Sequence, residues 1–207
     1  MKMFIATLPK ATASLIEKIK LLPELKTFYL TGGTALSLQL GHRESEDLDF
    51  FSQADFRPDT AQQALMKIGA LENTQSEPGA LNTFLDGVKL QFLHYPYSLL
   101  EKPLEWNGLS LSSVIDIACT KFITISARGS KKDFIDLYKI LENDTIANLF
   151  NKLDEKYKGV NYNHAHILKS LIYFADADDQ PMPRMHMNVD WDEVKQSITE
   201  NVKKFSF

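Results

Sequence analysis

Two aspartates one residue apart, Asp47 and Asp49, follow a glycine pair, Gly32-Gly33, across a helix-length apolar run and a polar elbow. In a strand, alternate side chains share a face, so Asp47 and Asp49 point the same way while Leu48 and Phe50 point into a core. Two carboxylates side by side repel, and one takes up a proton unless a cation sits between them. A hard divalent ion with oxygen ligands, most simply Mg²⁺, meets that need. The Gly32-Gly33 backbone admits a polyphosphate closely because no Cβ intervenes. Thr34 and the first turn of the next helix add a hydroxyl and free N–H groups for phosphate oxygens. A glycine pair alone can mark a turn, and Asp-x-Asp alone is common on polar strand faces. Their order and spacing favour a metal-dependent phosphoryl-group site. His42 and Arg43 either line this site or cap the elbow before the strand.

The elements that must hold these residues can be read in chain order. Residues 10–22 have apolar positions at helical spacing (Leu15, Ile16, Ile19, Leu22), and Pro23 ends the run. A short strand over 27–30 leads into the glycine turn, a helix spans 34–40, and Gly41 closes it. The carboxylate strand covers 47–51, and a helix is expected over 59–68. Strands follow at 70–75, 83–85 and 88–94, with Asp86-Gly87 as a hairpin signal between the last two. In the third of these, Val88, Leu90 and Phe92 face the core, while Lys89 and Gln91 share the other face. Tyr95 to Trp106 holds two prolines and reads as a connector. A helix from Ser113 to about Ala127 and another over Lys131–Leu141 come next, the second with Asp133 and Asp136 three apart on neighbouring faces. The remainder is helical (144–157, 164–174, 189–205) around an acidic, proline-containing loop at 175–187.

Lys121 lies in an otherwise apolar helix, where it either serves a phosphate or snorkels to the surface. Arg128-Gly-Ser-Lys-Lys132 is a basic loop at a helix start, read either as a phosphate or RNA contact or as a solvated turn. His164 and His166 do not share a helix face and read as non-metal residues. The run Asp176, Asp178, Asp179 lacks the glycine and distal glutamate of a calcium loop.

The 207-residue chain is 44% hydrophobic and 24% charged, which suits a globular protein with a real core. Its net charge of −4 argues against gripping nucleic acid by bulk charge, though not against a local basic patch. The single Cys119 excludes an intrachain disulfide and sits in an apolar run, where a buried thiol is expected. No run reaches membrane-spanning length and no signal peptide is visible, so a cytoplasmic location is expected.

The stretch GGTALSLQLGHRESEDLDFF (32–51) resembles the signature of the AbiEii/AbiGii toxin family of nucleotidyltransferases, within the DNA polymerase β-like superfamily. The later run from Asp116 through Ala118 and Lys121 to Arg128, Lys131-Lys132-Asp133 and Asp136-Leu137 is similar to that family's further motifs. The resemblance implies an α+β fold: a polymerase-β-like mixed sheet with flanking helices over 1–105 and a helical region over 106–207 that completes the cleft. It implies transfer of a nucleotide from an NTP, with Mg²⁺ on Asp47 and Asp49, and Gly32, Gly33, Thr34, Arg43, Lys89 and Lys132 as nucleotide contacts. Lys121 and either Asp133 or Asp136 (the latter preferred) would be the remaining catalytic groups. The implied acceptor is RNA such as tRNA, and the implied partner is a cognate antitoxin. Where the superfamily has a third carboxylate, this chain has Gln91, which puts two-metal catalysis in question. The competing readings are transfer to a small molecule or protein hydroxyl, or a degenerate NTP-binding module.

Overall fold

The computed structural model describes residues 3–205. They divide into two compact units, the first ending at Ser113 and the second beginning at Val114.

The first unit is built on a mixed sheet. Its strands are β1 (Tyr29–Thr31), β2 (Leu48–Ser52), β3 (Leu71–Glu77), β4 (Ala80–Leu85), β5 (Val88–His94), β6 (Leu104–Trp106) and β7 (Leu109–Leu111). Among the described residues they form one seven-stranded sheet in the order β3-β4-β5-β2-β1-β7-β6. β2 runs antiparallel to β1 and parallel to β5, and β1 runs parallel to β7. The helices of this unit are α1 (Lys10–Ile19), α2 (Gly32–Leu40) and α3 (Pro58–Met66).

The alternation in β2 is that of a strand with one dry face. Leu48, Phe50 and Ser52 are buried, while Asp49 and Phe51 are half-buried. Phe50 stacks on its register partner Phe92 at 5.1 Å and 11°, and Phe28 meets Phe92 edge-on at 5.1 Å. Leu15, Ile16 and Ile19 of α1 and Ala61, Ala64 and Leu65 of α3 are likewise buried. α1 packs on β5, and α3 packs on β3 and β4. Burying such side chains contributes roughly 1.5–3 kcal/mol each, and this core fixes β2 and β5 in register.

Several boundaries differ from the sequence reading: the strand expected over 83–85 starts at Ala80, the helix expected over 164–174 ends at Ser170, and the site region shifts as well. α2 begins at Gly32 rather than Thr34, so the glycine pair is the first turn of the helix. Asp47 precedes β2, and only Asp49 lies within its ladder. The connector expected over 95–106 ends in a strand, because Asn107-Gly108, both at positive φ (52° and 79°), turn β6 back onto β7. That dipeptide is a hairpin signal of the same kind as Asp86-Gly87, where φ is 51° and 77°.

The second unit is helical: α4 (Val114–Ala127), α5 (Lys131–Ile140), α6 (Ile146–Lys156), α7 (His164–Ser170), α8 (Ala175–Asp178) and α9 (Trp191–Lys204). α4 is its centre, packing against α5, α6 and α7, while α9 packs on α5. α6 and α9 carry side-chain caps: Thr145 accepts from Asn148 N–H, and Asp190 accepts from Glu193 N–H. Each such cap contributes about 1 kcal/mol. The expected loop at 175–187 begins with α8, and Asp178 accepts hydrogen bonds from Trp191 Nε1 (2.7 Å) and Lys195 Nζ (3.2 Å).

Candidate active site

The site in the first unit starts at Gly32. Its φ is +66°, and a Cβ there would stand 2.2 Å from Asp49 Oδ2. Both facts demand glycine: the backbone is left-handed, and the carboxylate lies directly over the Cα. Gly33 is as constrained on its other side, where a Cβ would come within 2.5 Å of Arg43 Nη2 and 3.0 Å of Ser45 Oγ. Thr34 donates to the Asp47 carbonyl, and its hydroxyl lies 3.0 Å from Ser45 Oγ. Arg43 is 3% exposed, and its Nη1 donates to the Glu44 carbonyl at 2.9 Å. The glycine turn, the elbow and the start of β2 therefore pack as one piece, with the first N–H groups of α2 and a guanidinium side by side. That combination favours an anion.

Across the sheet, the register lines up a row of polar side chains. Asn82 of β4 faces Gln91 of β5, Gln91 faces Asp49 of β2, and Asp49 faces Thr31 of β1. Ser112 Oγ continues the row by donating to Thr31 Oγ1 at 2.7 Å. Gln91 Nε2 donates to Asn82 Oδ1 at 3.0 Å. That bond uses one N–H of the amide, and the register sets Gln91, with its carbonyl oxygen as its one acceptor group, next to Asp49. Asp47 and Lys89 together line a cavity of about 250 Å³ with Thr12, Glu46 and Asp86.

The donor set can be weighed against a divalent ion. Asp47 and Asp49 are half-buried carboxylates one alternate position apart, and the missing Cβ of Gly32 is what gives Asp49 its room. Hard oxygen donors of this kind suit Mg²⁺. No group of three or more His, Cys, Asp or Glu side chains gathers for a metal among the described residues. Two carboxylates supplemented by a neutral amide oxygen fit a single ion that takes its other ligands from water or substrate.

The second unit brings Lys121, Asp133 and Asp136 together. Lys121 Nζ lies 2.7 Å from Asp133 Oδ1 and 2.5 Å from Asp136 Oδ2, and the three side chains are no more than 8% exposed. Ser130, the N-cap residue of α5, makes no side-chain cap and donates instead to Asp133 Oδ2. Lys121 is thus a buried ion-pair centre rather than a snorkelling lysine. A second buried pair, Lys156 Nζ to Asp116 Oδ1 at 2.7 Å, was not foreseen. The sequence carries little signal for it, because an aspartate in the first turn of a helix is already favoured by the helix dipole. In the basic loop, Arg128 and Lys132 are exposed, while Lys131 is buried over the Trp191 ring, 5.0 Å from its centroid.

A mixed sheet with a glycine turn feeding a helix, and Asp47 and Asp49 at the start of the strand beside it, is the fold found in solved nucleotidyltransferases. The chain matches the profile of the AbiEii nucleotidyl transferase toxin of type IV toxin–antitoxin systems over residues 15–103. It is 33% identical over 204 residues to an uncharacterized protein of Aquifex aeolicus, covering 96% of this chain and 97% of that one. The chain belongs to the AbiEii nucleotidyltransferase family. Its fold is shared by MenT4, a nucleotidyltransferase toxin of Mycobacterium tuberculosis (TM-score 0.59, 13% identity, 95% of this chain and 84% of that one). It is shared also by JHP933 of Helicobacter pylori (TM-score 0.58, 16% identity, 95% and 92%).

Proposed function

We propose that this nucleotidyltransferase moves an NMP from an NTP to a hydroxyl of RNA, with the end of a tRNA as the first acceptor to test, and that Mg²⁺ is its metal. The observation that carries this reading is the seating of Asp49 over the Gly32 backbone, two residues after Asp47 and next to the anion-favouring start of α2. Asp47 and Asp49 would hold the ion, which when bound polarises the phosphoryl oxygens and offsets charge developing in transfer. Gly32, Gly33 and Thr34 offer backbone N–H groups to the triphosphate, while the buried Thr34 hydroxyl, expected to reach a phosphate, instead holds the Asp47 carbonyl. Arg43 beside Gly33 and Lys89 beside Asp47 are the proposed further phosphate contacts, and the exposed Lys132 is a proposed contact to the nucleic acid.

In the transfer, the acceptor hydroxyl oxygen bonds to the α-phosphorus and the α–β anhydride bond breaks. Pyrophosphate leaves with the electron pair, and the hydroxyl proton passes to a carboxylate base. Asp136, with Asp133 as its neighbour, is proposed as the base on the family resemblance alone; both are held by Lys121 within the second unit. Lys121 acts through the two carboxylates it holds in place. The setting is the cytoplasm, and the partner is a cognate antitoxin. Among the described residues no helix is long and apolar enough to cross a membrane.

The test is transfer of each α-³²P-labelled NTP to total cellular RNA with Mg²⁺, beside Asp49→Ala. Label on a discrete RNA from one NTP, absent in the variant, is expected. Label on protein or small molecules alone would replace RNA as the acceptor.

A further inference from the structure

The polar face of the sheet changes character one alternate position beyond Asp49. Phe51 shares the face of Asp49, and its register partner Tyr29 shares that of Thr31. The Tyr29 and Phe51 ring centroids are 6.2 Å apart. Tyr95, just past β5, lies 4.7 Å from Phe51 at an interplanar angle of 35°, and Tyr97 lies 4.8 Å from Tyr95. Tyr29 is buried at the root of this row, while Phe51, Tyr95 and Tyr97 each keep part of their surface exposed. The opposite face of the same strands already has its own aromatic core in Phe28, Phe50 and Phe92. The second row is therefore not needed to fill that core.

Its position relative to Asp49 decides what it can hold. Gly33, Thr34, Arg43 and Ser45 gather at the Asp47 end of the carboxylate pair. The aromatic row begins at the other end, about 7 Å along the strand from Asp49 at the usual rise per residue. Phosphoryl transfer puts the attacking and leaving oxygens roughly in line on opposite sides of phosphorus. With pyrophosphate leaving toward Gly33 and Thr34, the attacking hydroxyl arrives from the Phe51 side. The base next to that hydroxyl then meets the rings. A chain of net charge −4 gains little from bulk attraction to a polyanion, so contacts of this kind have to supply affinity.

We infer that Phe51, Tyr95 and Tyr97 form a stacking shelf for the terminal base of a single-stranded RNA acceptor. The inference rests on the proposed transfer to RNA and adds where and in what form that RNA is held. Stacking on aromatic rings needs an unpaired base and tolerates any sequence. The shelf thus selects for a free end over a duplex.

Phe51→Leu and Tyr95→Leu keep apolar bulk and remove the ring face. Binding of a short 5′-fluorescein oligoribonucleotide with a free 3′-hydroxyl is read by anisotropy, beside a blunt duplex of the same sequence. NTP binding is read separately by calorimetry with Mg²⁺, and circular dichroism checks the fold. The wild type is expected to prefer the single strand. Each variant should weaken that binding roughly tenfold to a hundredfold, the range for loss of one stacked base, with NTP affinity unchanged. Unchanged RNA binding in folded variants, or a loss confined to NTP, overturns the shelf. A wild type that binds no NTP strikes at the proposed function instead. If Phe51→Leu does not fold, Tyr97→Ala at the outer end of the row carries the same comparison.

Discussion

At the scale of single residues, Gly32 is the tightest constraint in the first unit. Gly32→Ala must either strain a backbone at φ +66° or push Asp49 out of place. The backbone cost is about 1 kcal/mol, but the displaced carboxylate is the larger effect. Nucleotide transfer is expected to fall at least a hundredfold while the melting temperature drops by only a few degrees. A Gly32→Ala protein with wild-type kcat would show that Asp49 need not sit where it does. Asp49→Ala is expected to keep the fold, since the side chain is half-buried on the polar face, and to lose nearly all transfer in the labelling assay. Gln91→Asp offers a complementary readout. A third carboxylate beside Asp49 should tighten Mn²⁺ binding, measured by electron paramagnetic resonance titration, whatever it does to turnover.

At the scale of elements, α4 is held by charges inside an apolar packing. Its Asp116 meets Lys156 of α6, with both side chains 1–2% exposed. Lys156→Met strands a buried carboxylate and is expected to cost about 3–5 kcal/mol in denaturant unfolding. The double change Lys156→Met with Asp116→Leu should recover most of that loss, because a buried pair is often replaceable by apolar residues. Failure of the double change to recover would mean that the pair fixes the packing of α4 on α6 as well. These elements also show where sequence reading succeeds. The amphipathic periods of α1, α5 and α9, the closing Gly41 and the Asp86-Gly87 turn follow local rules, so their residues announce them. The glycine turn and Asp-x-Asp could be picked out as a candidate site because they lie along one stretch, although Asp47 falls just outside the strand expected to hold it. The Asp116–Lys156 pair and the aromatic row depend on register and helix packing between distant segments, which one sequence does not print. Asn107-Gly108 was legible in principle, but two prolines upstream drew the reading toward a connector.

At the scale of the whole molecule, each unit has its own tryptophan and the second has the lone thiol. Burial pushes the Cys119 thiol up to about 12, so near neutral pH it is protonated as well as shielded. Its reaction with a thiol reagent is expected only when the second unit opens. The labelling rate should follow the loss of Trp191 emission, while Trp106 reports the first unit. Labelling at the rate of an exposed thiol would contradict the burial of α4. The matched family profile stops at residue 103, just short of β6. Yet β7 pairs with β1 in the interior of the sheet, at Tyr29↔Ser110 and Leu30↔Leu111. A nascent chain that has released every carboxylate and glycine of the first unit's site from the ribosome still has one side of β1 bare. Until Leu109–Leu111 emerge, that side is a template for any passing strand. Translation must run past the catalytic signature before the sheet that carries it can close. A polypeptide cut at the profile's end would be expected in inclusion bodies rather than in solution.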